Sequence, residues 1–386
     1  MRKFCSLILA DGNEFPGQAF GMPAPRAVDL LPRRSDRKAA GEVVFNTGMT
    51  GYHEILTDPS YTAQLVVMTY PHIGNYGADD EWSEIGPEVG VDRLKIKCAA
   101  LVVRSLHTGP VPEGRLRLEE FLSRHETPGL TGADTRRLTL HLRDQGAQNG
   151  VLISTEEAGA SPVEKRLAME YLAQFPPMEG SNLTTEVGTS DPAVYGPQGS
   201  PHLVMVDSGI KMNIIRELVN RGAMVTVVSD LTSRASLLAH KPDAVLYSSG
   251  PGDPAVLSDQ IALIQSLFDV VPVFGICLGH QLISLALGAK TYKMKFGHHG
   301  VNHPVRDELT RKVFVTSQNH GFAVDEASLP SDVAVWFRNA NDNTVEGIYH
   351  KTRNIKCAQF HPEAAPGPHD SSWIFQSFLD AIPRIA

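Results

Sequence analysis

Two patterns of apolar and polar positions divide the chain. Through about residue 155, short apolar runs are cut repeatedly by Gly, Pro and Asp. Residues 5–9 predict a strand that ends at Asp11-Gly12, and 41–46 and 64–70 predict two more. Residues 22–37 hold three prolines and a basic run from Arg33, which predicts a surface loop. Helical spacing appears at 119–124 and at 134–143, the second with Asp134 as a predicted N-cap. A further helix is predicted over 161–175, stopped by Pro176-Pro177. Residues 178–200 have little apolar periodicity and read as a connector.

After Pro201 strands and helices alternate. Strands are predicted at 202–206, 224–228, 243–247 and 271–276, and helices at 211–220, 233–239, 255–268 and 278–287. Strands that are continuously apolar, each followed by an amphipathic helix, predict a parallel sheet covered on both faces. The expected fold class is α/β. It comprises a C-terminal doubly wound, mostly parallel sheet with a nucleophile elbow, plus a smaller mixed α/β N-terminal domain. The expected boundaries are 1–155, a helix and connector at 156–200, and 201–386. Ligands of such sheets sit beyond the carboxyl ends of the strands. Ser249-Gly250-Pro251-Gly252 and Cys277 both fall at such ends.

Composition narrows the class without choosing a function. At 386 residues, two domains are expected. A net charge of −8 argues against a general nucleic-acid or membrane-surface role. Cys5, Cys98, Cys277 and Cys357 are scattered, with no CxxC pair. Basic Met1-Arg2-Lys3 is followed by too few apolar residues for a secretory leader, and no stretch is long enough to span a bilayer. Reduced thiols in a cytoplasmic setting are expected.

Gly275-Ile276-Cys277-Leu278-Gly279 lies between a predicted strand and a predicted helix, the setting of a nucleophile elbow with Cys in place of Ser. The helix N-terminus there favours thiolate, and the Leu278 amide would point at a developing oxyanion. Read by itself, such a cysteine is as well explained by core packing. A thiol nucleophile needs a base and a group that orients the base. His361-Pro362-Glu363 follows the apolar stretch at 355–358, so His361 is expected as base and Glu363 as its orienter. The histidines His298, His299 and His303 read as a hydrogen-bonded loop, and no metal site is expected. Gly250-Pro251-Gly252 lacks the GxxxxGK[ST] pattern of a phosphate loop.

These motifs together resemble the class I glutamine amidotransferases, through residues 273–281 and His361-Pro362-Glu363. Three further stretches, 249–254, 293–300 and 317–325, resemble the family of small, glutamine-hydrolysing subunits of carbamoyl-phosphate synthetase. So do 45–52, 56–61 and 70–75 in the amino-terminal half. The resemblance implies a Cys277–His361–Glu363 triad and an oxyanion site at the amides of Gly250 and Leu278. It implies glutamine contacts at Gly252, Gln281, Asn319, Gly321 and Phe322, and at Gly48, where some relatives carry Ser. It implies no cofactor in this chain, and a separate large subunit that uses ATP and a divalent metal. That partner would make carbamoyl phosphate from bicarbonate, two ATP and the ammonia released here, for arginine and pyrimidine synthesis. The expected assembly is a heterodimer, and several heterodimers could associate.

Three other readings compete. The chain could serve another synthase, but the stretches at 46–52 and 70–75 count against that. It could be a free-standing γ-glutamyl thiol hydrolase, which would need no partner. A catalytically dead scaffold would lack triad residues, and all three are present. Ser208 in Asp207-Ser208-Gly209, the long loop at 22–40 and the acidic stretch at 79–84 depart from the family pattern.

Overall fold

The computed structural model describes residues 4–30, 39–79, 81–86, 95–189, 191–199 and 201–383. The basic run at 33–38 lies outside them. The chain divides into two compact units. The first comprises Met1–Ser83, Asp92–Met178 and Lys295–His299; the second comprises Glu84–Val91, Glu179–Met294 and Gly300–Ala386.

In the first unit seven strands close into a barrel. Around it run Phe4–Leu9, Glu14–Gly21, Pro128–Thr131, Ala100–Val103, Gln64–Met68, Ala40–Asn46 and Gln148–Thr155. The strands Ala40–Asn46, Gln64–Met68, Ala100–Val103 and Pro128–Thr131 are parallel neighbours, and the other pairings are antiparallel. Alternate residues feed different cores. Leu65, Val67, Ala100 and Val102 pack with Leu138 and Leu142 of the helix Thr135–Gln145. Val66, Met68, Leu101 and Val103 pack with Tyr52, Ile55 and Phe121. With both faces buried, these strands have no polar face to show in sequence. Asp134 caps its helix as expected, accepting from the Arg137 amide at 3.0 Å.

The second unit is built on a ten-stranded sheet. Its centre is five parallel strands in the order Met224–Ser229, His202–Asp207, Ala244–Tyr247, Val273–Ile276 and Ile355–Ala358. Ala193–Tyr195 adds an antiparallel edge. Beyond Ile355–Ala358 the sheet continues through Val345–His350, Val313–Asp325, Lys290–Asp307 and Val333–Asn339, where the assigned pairings are antiparallel. One face carries Phe274, Trp336, Phe337, Phe375 and Phe378. The other carries Val245, Val273, Leu278, Leu282 and Ile283.

Two expectations need correction. His298, His299 and His303 lie within the 18-residue strand Lys290–Asp307 and not in a loop. Its sequence mixes Gly, His, Lys and Pro, so no period of two is visible. The stretch read as a connector is in part tightly held. Leu183 and Thr184 are fully buried, Thr184 Oγ1 donates to Asp230 at 2.7 Å, and the Thr189 amide donates to Asp207 at 2.8 Å. Isolated buried anchors of this kind leave no periodic trace.

Candidate active site

The parallel strands of the second unit end together, and their carboxyl ends hold the candidate chemistry. Cys277 directly follows Val273–Ile276, and the helix Leu278–Ala286 begins at the next residue. Its backbone sits at φ 53° and ψ −104°, a strained conformation for a side-chain-bearing residue, and its amide donates to Ala358 O at 2.8 Å. Glycines make the sharp turn possible. A Cβ on Gly279 would lie 2.1 Å from the carbonyl oxygen of Tyr247, and one on Gly275 would lie 2.6 Å from the Gly279 carbonyl carbon. The amide of Gly279 donates to Ser248 O at 2.9 Å and so ties the turn to the neighbouring strand's end.

The thiol is 2% exposed. Its Sγ lies 3.5 Å from Asn319 O, and Gln359 Nε2 points at it from 3.7 Å. His361 follows Ile355–Ala358 and is anchored by its own amide, which donates to Ser317 O at 2.9 Å. Its Nδ1 bonds Glu363 Oε1 at 2.6 Å. Its Nε2 is buried with no hydrogen-bond partner among the described residues, and Cys277 lies close enough to influence the imidazole. Burial disfavours the imidazolium, but Glu363 and then Cys277 outweigh it, and the His361 pKa is raised. Burial likewise disfavours the Glu363 carboxylate, but Lys211 and His361 outweigh it, and that pKa is lowered.

His280 provides the contrast. It sits in the first turn of the helix that follows Cys277, wholly buried, and neither ring nitrogen has a hydrogen-bond partner among the described residues. Burial alone pushes its pKa down to about 3, so it stays neutral and carries no proton for chemistry. Of the histidines near the thiol, His361 has the partner that acid–base work needs.

The other expected site residues of this unit fall on the surrounding loops and strands. The amides of Gly250 and Leu278 have no hydrogen-bond partner among the described residues. Gly250 could carry no side chain, since a Cβ would meet Ser208 O at 2.1 Å. Gly252 has φ +96°, and the 179–183 segment packs on it so closely that a Cβ would meet Ser181 O at 2.6 Å. Asn319, Gly321 and Phe322 lie on the strand Val313–Asp325. Gln281 holds that strand, its Nε2 donating to Phe322 O at 2.9 Å and to Gln359 Oε1 at 3.1 Å. Gly48 belongs to the first unit, where its amide donates to Asn46 Oδ1 at 2.7 Å. Ser208 is fully buried and its amide donates to Ser248 Oγ at 3.0 Å.

Two groups at the site leave no mark in the sequence. Lys211 Nζ lies 3.1 Å from Glu363 Oε1 and donates to Ala364 O, with the side chain 1% exposed. A lysine at a helix start reads as a solvated cap, so nothing local distinguishes it. Gln359 reaches both the thiol and Gln281, yet in sequence it is one more residue at a strand's end.

Comparison with known proteins finds similarity along nearly the whole chain. Residues 7–152 match the family described as carbamoyl-phosphate synthase small chain, CPSase domain, and residues 204–381 match glutamine amidotransferase class-I. The chain is 43% identical to the carbamoyl phosphate synthase small chain of Escherichia coli K12, over 100% of this chain and 98% of that one. It is 44% identical to the protein of that name from Methanocaldococcus jannaschii, over 98% of this chain and 99% of the other. Among solved structures, a glutamine amidotransferase from Thermotoga maritima is 19% identical with a TM-score of 0.34, covering 43% of this chain and 77% of that one.

Proposed function

The chain belongs to the carbamoyl phosphate synthase small-chain family, with its glutamine amidotransferase domain, and from that premise we propose that Cys277, His361 and Glu363 are its glutamine-hydrolysing triad. The carrying observation is the buried thiol on a strained strand-to-helix turn, paired with an imidazole whose far nitrogen bonds a buried carboxylate at 2.6 Å. In this reading the thiolate attacks the side-chain carboxamide carbon of glutamine, and the proton from the thiol rests on His361. The amides of Gly250 and Leu278 stabilise the tetrahedral oxyanion, each contributing about 3 kcal/mol. Collapse of that intermediate expels ammonia, which leaves with the proton of His361. Water, deprotonated by the now neutral imidazole, then hydrolyses the γ-glutamyl thioester to glutamate and the free thiol.

Glutamine is held in this reading by Gly252, Gln281, Asn319, Gly321 and Phe322. The raised pKa of His361 supports its role as proton store, and the neutral His280 is left outside the chemistry. Ammonia is mostly protonated near neutral pH, so it must reach its acceptor before it meets bulk water. A separate large subunit, with ATP and a divalent metal, is the proposed acceptor. It would join ammonia to bicarbonate and make carbamoyl phosphate in the cytoplasm.

Replacing Cys277 by Ser in the complex with the large subunit tests the assignment. Carbamoyl phosphate formation from glutamine should fall at least about a thousandfold, on the scale of nucleophile loss in other triads. Synthesis from added ammonia should continue. Undiminished synthesis from glutamine would remove Cys277 from the mechanism.

A further inference from the structure

Resting on the triad reading above, we propose that Lys211 is a positioning residue of the site, the fixed counter-ion that keeps Glu363 ionised and aimed while His361 gains and loses its proton. Glu363 is fully buried, and one of its oxygens, Oε2, has no hydrogen-bond partner among the described residues. The other, Oε1, takes both His361 Nδ1 at 2.6 Å and Lys211 Nζ at 3.1 Å. An ionised carboxylate in such a place must have a compensating charge close by. His361 cannot supply it throughout the cycle, because it gives its proton to the departing ammonia. At that moment Lys211 is the cation that remains beside Glu363. In this scheme Lys211 exchanges no proton with the substrate.

The lysine has a second effect of the opposite sense on the imidazole. Glu363 and Cys277 raise the His361 pKa, and Lys211 lowers it. A histidine too tightly bound to its proton would not release it to ammonia. The ammonium of Lys211 therefore tempers the base that its own carboxylate partner strengthens.

Lys211 is held for this task by residues distant in sequence. Met212 N donates to Glu84 O at 2.9 Å, and Ile85 forms a β-bridge with Lys211. The Glu84 carboxylate accepts from Asn213 N at 3.0 Å and pairs with Arg216 at 2.8 Å. Asn213 Nδ2 in turn donates to the Glu363 carbonyl, and Lys211 Nζ to the Ala364 carbonyl. The titratable and charged groups around Glu363 and Lys211 are thus His361, Cys277, Glu84 and Arg216. With Nζ turned to Glu363 and Ala364 and the side chain buried, Lys211 acts through the carboxylate and not by touching substrate.

The test is a double-mutant cycle on glutamine hydrolysis by the chain in its complex. Lys211→Gln keeps a donor for the Ala364 carbonyl but removes the charge. It should lower kcat about tenfold, leave KM for glutamine within about twofold, and move the acid limb of the kcat profile to higher pH. The sign follows from the carboxylate: without the cation, Glu363 takes up a proton at higher pH, and activity is lost sooner on acidification. In a Glu363→Gln background the same Lys211→Gln change should alter kcat by less than about twofold, because the group it acts on has gone. Lys211→Met, closer in shape to the lysine stem, is the second variant and should move the limb the same way. Equal losses from Lys211→Gln in both backgrounds, or an unmoved acid limb with native kcat, would overturn the proposal. Full activity in Glu363→Gln alone would instead overturn the triad reading on which it rests.

Discussion

At the scale of the residue, the site depends on atoms that are missing as much as on those present. Gly279 lets the elbow close against the neighbouring strand, where any side chain would overlap the Tyr247 carbonyl. Gly279→Ala should therefore cost about 3 kcal/mol, at the upper end of overpacking, because the obstacle is backbone and not a flexible side chain. Gly288 is a control with the opposite balance. It has φ +100°, but a Cβ there would meet nothing within 4 Å, so Gly288→Ala incurs only left-handed strain, about 1 kcal/mol. Urea denaturation of the two variants should rank them in that order. The proposed triad residues could be picked out in the sequence, since glycines flanking Cys277 and the His361-Pro362-Glu363 spacing report backbone demands directly. Lys211 was not legible. Its burial is decided by Glu84 and Glu363, 127 and 152 residues away by numbering, and no local pattern records such contacts.

At the scale of the element, the two halves of the sequence differ in how much they disclose. The parallel strands of the second unit are short, apolar throughout and separated by amphipathic helices, and the predicted and observed positions agree closely. Ala244–Tyr247 and Val273–Ile276 fall inside the predicted 243–247 and 271–276. The barrel was not foreseen, because closure is a matter of which strand pairs with which. Phe4–Leu9 pairs with Gln148–Thr155 across most of that unit's sequence. Helix ends are more local. Asp134 caps Thr135–Gln145 through the Arg137 amide. Asp134→Ala should lower the unfolding free energy by about 1 kcal/mol, read by thermal or urea unfolding. Asp134→Asn, which keeps the acceptor, should recover most of it, whereas a loss of equal size would place the effect in charge and not in capping.

At the scale of the whole molecule, a buried ionic chain links the catalytic reading to stability. Glu363 has a pKa below its ordinary value, so its contribution is present above the usual glutamate range and fades as pH falls through the lowered value. His361 has a pKa above its ordinary value, so its contribution is full below the usual histidine range and fades as pH rises through the raised value. Glu84 runs the other way to Glu363. Burial, the largest influence, lifts its pKa despite Lys211 and Arg216, so its ionisation opposes folding as pH rises through the carboxylate range. The unfolding free energy attributable to His361 and Glu363 should therefore form a plateau between the two ranges and fall on either side. Cys277→Ser removes a group that raises the His361 pKa, so in that variant the alkaline decline should be smaller and complete at lower pH, while the acid side stays in place. Urea unfolding of the native chain and the serine variant from about pH 2 to about pH 11 reads both edges. An alkaline edge that does not move would mean that the Cys277 side chain does not hold the proton on His361 in the resting protein.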